Sequence, residues 1–325
     1  MNIVDINEDY IHTSAPDVLE VLLMDRTTND NIFWATNDYK ELGSQYDYFA
    51  PILPDLITGK NVNVIRPRIM KARQKQTARS KEMAEVFTPA WICNSQNNLI
   101  DTAWFGRENV FNIENSDHTW TTNNSPIEFP TGKTWKDYVM DTRMEMTCGE
   151  APYITSRYDV TTGNFIKPQN RIGLLDRKLR VIGENTSGIE EWILAATDAY
   201  KNVYAYEWQG DNLLLAREAM IWTFGEFFAA KFQSDPPKEA LLDIATIISW
   251  NVWQMDGLKC VVPNSCKTTE TSDLFGNTVK SECLGCRQGN IHRHNGVYCL
   301  IKDWYEIDKK TGKSGTIVPF HTLIK

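Results

Sequence analysis

The chain has 325 residues and a formal net charge of −8, with 42% hydrophobic and 23% charged residues. That balance is typical of a globular protein, and the negative charge argues against a protein that coats nucleic acid by bulk charge. The acidic start, "MNIVDINEDY", has no secretory signal, and the longest apolar stretch, "LLDIATIISWNVW", is too short to span a bilayer. We therefore expect a cytoplasmic protein without membrane contact.

Helices and strands are predicted in alternation along the chain. Residues 15 to 25 predict an amphipathic helix and residues 31 to 36 a short strand. Residues 134 to 150 predict a helix, a strand and a glycine turn; residues 203 to 232, a strand and a long helix; residues 240 to 258, a helix and a short strand. The alternation indicates an α/β fold with a mostly parallel sheet, which binds ligands at the carboxyl ends of its strands.

One dense positive patch interrupts this pattern. It is the basic segment, residues 66 to 85, "RPRIMKARQKQTARSKEMAE". The segment is either a solvated helix face or a contact to a phosphate backbone. On the second interpretation, its candidate DNA-binding residues are Arg66, Arg68, Lys71 and Arg73. The "VFTPAW" that follows predicts a helix start, with a threonine cap and proline at the first helical position.

Three predicted strands end in acidic groups. "MEMTCGEAP" holds Glu145 within a strand that runs into a glycine turn, "VYAYEW" ends in Glu207, and "NVWQMDG" ends in Asp256. A nucleoside cofactor on such a sheet needs a close turn beneath it and an acid for its ribose hydroxyls. A third polar group then reads the base. The three strand ends together predict a nucleoside site.

The order of these motifs resembles that of a known family. "AEVFTPAWIC", "MEMTCGEAPYITSRYD", "AYEWQGDNLLLAREAM" and "NVWQMDGLK" are similar to successive segments of adenine-specific DNA methyltransferases from restriction–modification systems. With "LLMDRTTNDNIFWAT" and "RIGLLDRKLRVIGEN", the chain resembles their M subunits over most of residues 15 to 305. The resemblance implies a Rossmann-like sheet that binds S-adenosylmethionine, with DNA and a second chain of such a system as partners.

The resemblance also implies a role for individual residues of the cofactor site. Phe87, Thr88 and Pro89 would flank the methionine end; Glu145, Cys148, Gly149 and Glu150 would form the floor; Glu207 would hold the ribose, Trp208 would stack on the adenine, and Asp256 would accept from its amino group.

The family's catalytic motif, Asn/Asp-Pro-Pro-aromatic, grips and stacks on a flipped adenine. The chain has one Pro-Pro pair, in Asp235-Pro236-Pro237, where Lys238 replaces the aromatic residue and the position precedes the third strand. We favour a helix-start turn there. If "QGDNLL" were instead the third motif, Asp211 would read the base and the order would be restored. Without that assignment, the chain holds only the cofactor half of the enzyme. Its catalytic strand would come from a partner chain, be divergent in sequence or be lost.

Five of the seven cysteines follow residue 259. Cys283-x-x-Cys286 with a central glycine is half of a zinc knuckle. Cys266 and Cys299 would complete four thiolates, and His292 or His294 would substitute for either. We expect a closed structural zinc site rather than a catalytic centre.

Three domains follow from this interpretation: a helper region with the basic segment (residues 1 to 83), a methyltransferase-like cofactor domain (84 to 258), and a Cys-rich segment (259 to 325). The first functional hypothesis is an S-adenosylmethionine-dependent DNA adenine methyltransferase or its modification subunit. The alternative is a non-catalytic module of the same fold that completes or regulates a partner chain. A methyltransferase acting on protein or RNA is a third class, because fold does not fix substrate.

Overall fold

A computed structural model describes residues 8–71, 73–82, 87–272, 278–308, 312 and 314–324. Within these ranges the helices are α1 (Glu8–Ser14), α2 (Pro16–Leu23), α3 (Pro54–Ile57), α4 (Arg73–Glu82), α5 (Ala90–Phe105), α6 (Trp135–Met140), α7 (Leu174–Asn185), α8 (Ile189–Lys201), α9 (Gly210–Phe232), α10 (Lys238–Asn251) and α11 (Leu284–Gln288). The strands are β1 (Asn112–Glu114), β2 (Trp120–Thr122), β3 (Arg143–Met146), β4 (Val203–Glu207), β5 (Val252–Gln254), β6 (Thr269–Ser272), β7 (Thr278–Ser281), β8 (Leu300–Ile307) and β9 (Ser314–Pro319).

The centre of the fold is a three-stranded parallel sheet in the order β3-β4-β5. Helices α7 and α8 connect its first two strands, and α9 and α10 connect the last two. Because each crossover returns the chain to the same edge, all three strands end at one carboxyl edge. The predicted α/β class and the parallel arrangement are confirmed in this small sheet. The finer, Rossmann-like methyltransferase assignment stays a prediction.

The N-terminal region packs into the same core as the sheet. Leu19 and Leu22 of α2 are fully buried in one hydrophobic cluster with Val203 of β4 and Val252 of β5. Buried Arg217 of α9 donates hydrogen bonds to backbone carbonyls on both sides of this junction, at Leu22 and Val252. The predicted division near residue 83 therefore separates segments that share a core.

Residues 31 to 36 differ from their prediction as a strand. The segment makes only isolated bridges, among them Phe33 to Pro51. Ala35 has a φ of 51°, in the left-handed region, which interrupts an extended ladder. Trp34 is nevertheless fully buried, so its apolar character reflects core packing rather than regular strand pairing.

The C-terminal hairpin β8–β9 and the turn after it cover one face of the sheet. The Phe320 ring lies 6.4 Å from the ring of Tyr206 and 5.1 Å from that of Trp253. The hairpin does not cover the first strand of the sheet, β3, where Met146 is 68% exposed. None of the described helices is long and apolar enough to cross a membrane.

Candidate functional site

The glycine turn after β3 lies directly against the end of β4. Gly149 has a φ of 54°, a conformation that favours glycine, and a Cβ added there would lie 3.2 Å from the Phe87 ring. The Gly149 N–H donates to Glu207 Oε2 over 2.9 Å. The turn, the acid of the next strand and the phenylalanine of "VFTPAW" therefore converge, although they are 58 and more residues apart in sequence.

Glu207 is a buried acceptor held by backbone amides. Besides Gly149, the Gln209 N–H donates to its second oxygen, Oε1, over 3.2 Å. Burial raises the pKa of Glu207, while these amides favour the charged form. The carboxylate has further lone pairs, so it can accept additional hydroxyl donors without giving up these amides.

Glu145 and Cys148 lie beneath the turn. The Glu145 carboxylate accepts from the N–H groups of Tyr153 and Ile154 over 3.4 and 3.2 Å. Burial raises the pKa of Glu145 well above its usual range and does the same to the Cys148 thiol. Both side chains are buried beneath the loop that follows the turn.

Glu150 ties the glycine turn to the basic segment. Its Oε1 accepts from the Arg68 N–H over 2.6 Å, and its Oε2 accepts from the Tyr158 hydroxyl over 2.6 Å. The Arg68 guanidinium lies 5.0 Å from the centroid of the Phe87 ring. A residue predicted for DNA contact therefore packs on residues predicted for the cofactor.

The "FTP" segment continues from Phe87 into α5. The N-cap of this helix is Pro89, one residue later than the threonine cap that the sequence predicted. The first helical N–H, of Ala90, donates to the Asp159 carboxylate over 3.1 Å, which replaces a cap from Thr88. The segment is thereby fixed beside the turn.

The last two predicted cofactor residues lie after β4 and β5. The Trp208 indole N–H donates to the Tyr48 hydroxyl over 2.9 Å. Asp256 Oδ1 accepts from the Leu258 N–H over 3.1 Å, and its Oδ2 lies 2.9 Å from Lys259 Nζ. The third strand ends at Gln254, two residues before Asp256, which forms an isolated antiparallel bridge with Val261.

Asp211, the alternative base reader, is engaged by the basic segment. Its buried carboxylate lies 3.1 Å from Lys71 Nζ and 2.9 Å from Arg79 Nη1, and it accepts from the Tyr39 hydroxyl over 2.8 Å. Arg66 lines a nearby cavity of about 190 Å³. The side chain of Arg73 lies outside the described residues. Sequence reasoning missed the roles of Tyr39 and Arg79, because no local pattern pairs residues that are more than 130 positions apart.

Asp235, Pro236 and Pro237 lie far from the strand ends. The 23 residues of α9 begin at the carboxyl edge of the sheet and at 1.5 Å per residue extend about 34 Å from it. Pro237 is the N-cap of α10, so the helix-start interpretation is confirmed. The low-ranked alternative, a catalytic Asp-Pro-Pro, is separated from Glu207 by the whole length of α9.

The Cys-rich segment brings four metal-binding side chains together. One ligand atom each from Cys266, Cys283, Cys286 and His294 lies within 4.8 Å of the others. His294 Nδ1 is 3.5 Å from the first sulfur and 3.6 Å from the other two. Tetrahedral zinc, with Zn–S of about 2.3 Å and Zn–N of about 2.0–2.1 Å, separates sulfur from nitrogen by about 3.6 Å. The cluster therefore offers a closed set of four ligands for a metal such as zinc.

The backbone around the cluster is shaped to hold it. A Cβ at Gly285 would lie 2.7 Å from the His294 ring, and one at Gly296 would lie 3.1 Å from the Cys266 sulfur. The Asn295 N–H donates to the Cys283 sulfur over 3.3 Å. Burial opposes ionisation of this thiol, but hydrogen bonds from the backbone of Cys286 and Asn295 and from His294 lower its pKa to about 6. A ready thiolate suits a metal ligand.

The other two candidate ligands are elsewhere. The Cys299 thiol is buried and donates to the Gln254 carbonyl over 3.3 Å, beside the end of β5. The His292 ring packs 5.6 Å from that of His321. Of the alternatives that the spacing left open, the described residues place His294 in the fourth position. No protein-family model, no curated protein and no solved structure matches the chain.

Proposed function

We propose that the carboxyl edge of the sheet binds S-adenosylmethionine, and that the chain is the cofactor-binding subunit of a DNA adenine modification system. The observation that carries this proposal is the convergence of Gly149, Glu207 and Phe87 at one edge of a parallel sheet. Nucleosides bind at the carboxyl ends of such strands, where a close turn passes beneath them and an acid takes the ribose hydroxyls.

Each residue would contribute a contact that its present surroundings allow. Glu207 would accept the ribose hydroxyls with the lone pairs that Gly149 and Gln209 leave free. Trp208 is only partly buried, and its ring would stack on the adenine while its N–H stays on Tyr48. Asp256 would accept from the adenine amino group. Phe87 would border the methionine end from its place on Gly149.

We propose that this subunit does not methylate DNA alone. Transfer to adenine needs a polar acceptor and an aromatic residue next to the methyl donor. Asp235 is about 34 Å away along α9 and has no aromatic residue after Pro237. A second chain would supply these groups, and DNA would be the shared substrate.

Zinc is the metal that we propose for the cluster. Three thiolates and one imidazole are the ligands of a closed structural zinc site, and the sulfur–nitrogen distances of 3.5 to 3.6 Å fit a tetrahedral ion. Elemental analysis of the purified protein is expected to find one zinc ion per chain. A mere trace of zinc in protein with an ordered segment would contradict this.

Calorimetry with S-adenosylmethionine tests the cofactor proposal. Glu207→Gln keeps the shape of the side chain and removes its charge, so binding is expected to weaken about tenfold, as for the loss of a charge-assisted hydrogen bond. The matched control is Glu239→Gln, an exposed residue in the first turn of α10, which should bind like the wild type. Absence of binding by the intact chain, or equal binding by Glu207→Gln, would refute the proposal.

A further inference from the structure

Asp211 is a buried carboxylate at the start of a long helix. It is the second residue of α9 and its side chain is fully buried. A buried charge is retained only when partners and hydrogen bonds replace water. Burial alone would raise the pKa of Asp211, but Arg79 and Lys71 lower it well below the usual range. The group is therefore a charged anchor rather than an acid that takes up protons near neutral pH.

Both of its cationic partners come from the basic segment. The Lys71 and Arg79 side chains are only 8% and 3% exposed, so neither presents its charge to solvent. Arg79 also lies 2.6 Å from Asp38 and donates to the side-chain oxygen of Gln209. One arginine therefore joins the basic segment, the N-terminal region and the start of α9.

This anchor is connected directly to the proposed ribose acceptor. The Gln209 side chain accepts from Arg79, and its backbone N–H donates to Glu207 Oε1 over 3.2 Å. Displacement of Arg79 removes one of the hydrogen bonds on Gln209, which is a neighbour of Glu207. The contact thus couples the position of the basic segment to the geometry of the strand end.

The basic segment has a second attachment on the same edge. At its beginning, the Arg68 N–H bonds to Glu150 and the Arg68 guanidinium packs on Phe87. At its later part, Arg79 reaches Asp211. The segment is therefore held at both the glycine turn and the start of α9, the two places where the proposed cofactor contacts lie.

We infer that Asp211 is the latch that holds the basic segment across the carboxyl edge of the sheet, and that it is a positioning residue for the nucleoside site. The inference rests on the proposed function for the ligand, but the latch itself is a property of the apo chain. The predicted DNA contacts therefore differ in their surroundings. Lys71 is paired with Asp211, whereas Arg66 lines the adjacent cavity.

Asp211→Asn in the full-length chain tests the latch. The change keeps the side-chain shape and leaves Lys71 and Arg79 without their shared counter-ion. Limited trypsin digestion at Arg68 and Arg79, with amide exchange over Arg73–Glu82, reports on release of the segment. Loss of a charge-assisted contact predicts an increase of about tenfold in both rates. The matched control is Asp243→Asn, an exposed position on α10, which should behave as the wild type.

Cofactor binding provides the second measurement. Asp211→Asn is expected to weaken S-adenosylmethionine binding about tenfold. Unchanged protection of the segment in folded Asp211→Asn protein would overturn the latch. Release of the segment with unchanged affinity would overturn the positioning role. If the wild type does not bind the cofactor, the proposed function fails, and the positioning role with it, while the digestion still decides the latch.

Lys71→Met provides a variant that keeps the Arg79–Asp211 pair, should Asp211→Asn fail to fold. Lys71→Met removes one of the two cations that pair with Asp211. Because the Arg79 contact remains, trypsin cleavage at Arg68 is expected to rise only severalfold. Wild-type cleavage kinetics in this variant, together with wild-type exchange over Arg73–Glu82, would overturn the latch.

Discussion

The strand-end site and the metal cluster are built in opposite ways. The cluster takes its four ligands from residues 266 to 294, a single stretch of chain. The strand-end site, formed by Phe87, by Glu145 with the glycine turn, and by Glu207, takes its residues from segments that lie 58 or more positions apart. We expect a local site of the first kind to be ordered by a bound ion. A site of the second kind is ordered by the folding of the whole chain.

The largest expected effect that sharpens this contrast is the loss of one metal ligand. Structural zinc contributes about 10–16 kcal/mol of binding free energy in small zinc domains, so Cys283→Ser is expected to abolish stoichiometric metal binding. Amide exchange should then rise over residues 283 to 294 and stay unchanged in β3, β4 and β5. Mass spectrometry of the metal content and hydrogen exchange measure the two outcomes.

The control for this experiment is Cys299→Ser. This thiol is buried but belongs to no ligand set among the described residues, so the variant should keep its metal. Retention of metal by Cys283→Ser, or its loss in Cys299→Ser, would show that the ligands are assigned incorrectly.

A smaller effect is expected at the glycine turn. Gly149→Ala forces a side chain into a φ of 54° and places its Cβ 3.2 Å from the Phe87 ring, so we expect a loss of about 1–3 kcal/mol in the free energy of unfolding. Gly183→Ala, in α7 with nothing within 4 Å of the added Cβ, should be neutral or stabilising. Urea denaturation compares the pair. Equal stability of the two variants would mean that the strand-end site tolerates change in its turn.

Because Glu145 is buried, we expect the free energy of unfolding to depend on pH. Burial raises its pKa above the ordinary value of 4.5, so the folded chain keeps a proton there that the unfolded chain has lost. The free energy of unfolding should therefore fall as the pH rises from about 4.5 through the raised pKa, and the full penalty remains above it. Glu145→Gln should reduce this fall but not remove it, because burial also raises the pKa of Glu207, whereas exposed Glu190→Gln should retain it in full. Denaturation curves across this pH range test the difference, and an unchanged slope in Glu145→Gln would contradict it.

The smallest expected effect concerns the basic segment. Arg66 is only partly buried and lines the cavity beside Lys71 and Arg79, so this residue is the one we expect to reach a DNA phosphate. Arg66→Ala should reduce the slope of log affinity against log salt by about one contact. The control is Arg107→Ala. The Arg107 guanidinium donates to the backbone carbonyl of Glu128. Fluorescence anisotropy with a DNA duplex would refute the prediction if both slopes equal that of the wild type.

Local patterns in the sequence were enough for the parts of the fold that depend on neighbouring residues. The apolar periodicity of residues 15 to 25 predicted α2, residues 203 to 258 were predicted to hold the helices α9 and α10, and strand–helix alternation predicted that β3, β4 and β5 run in parallel. The Cys-x-x-Cys spacing predicted two of the clustered ligands. These features follow from steric and burial preferences that repeat every two or 3.6 residues, so a single sequence is sufficient to express them.

Tertiary structure decided which distant groups meet. The spacing favoured Cys299 as the fourth ligand and left His292 and His294 as substitutes. The folded backbone places the His294 imidazole by the three sulfurs, while the Cys299 thiol donates to Gln254. The basic segment was predicted to be either a solvated helix face or a DNA contact, yet Lys71 and Arg79 bond to Asp211 across 140 and 132 positions. No periodicity encodes such a pair, because its partners are brought together by the packing of helices and strands between them. The positive charge of these residues indicates only that they contact an anionic group. The fold determines that for Lys71 and Arg79 this group is the carboxylate of Asp211 in the same chain.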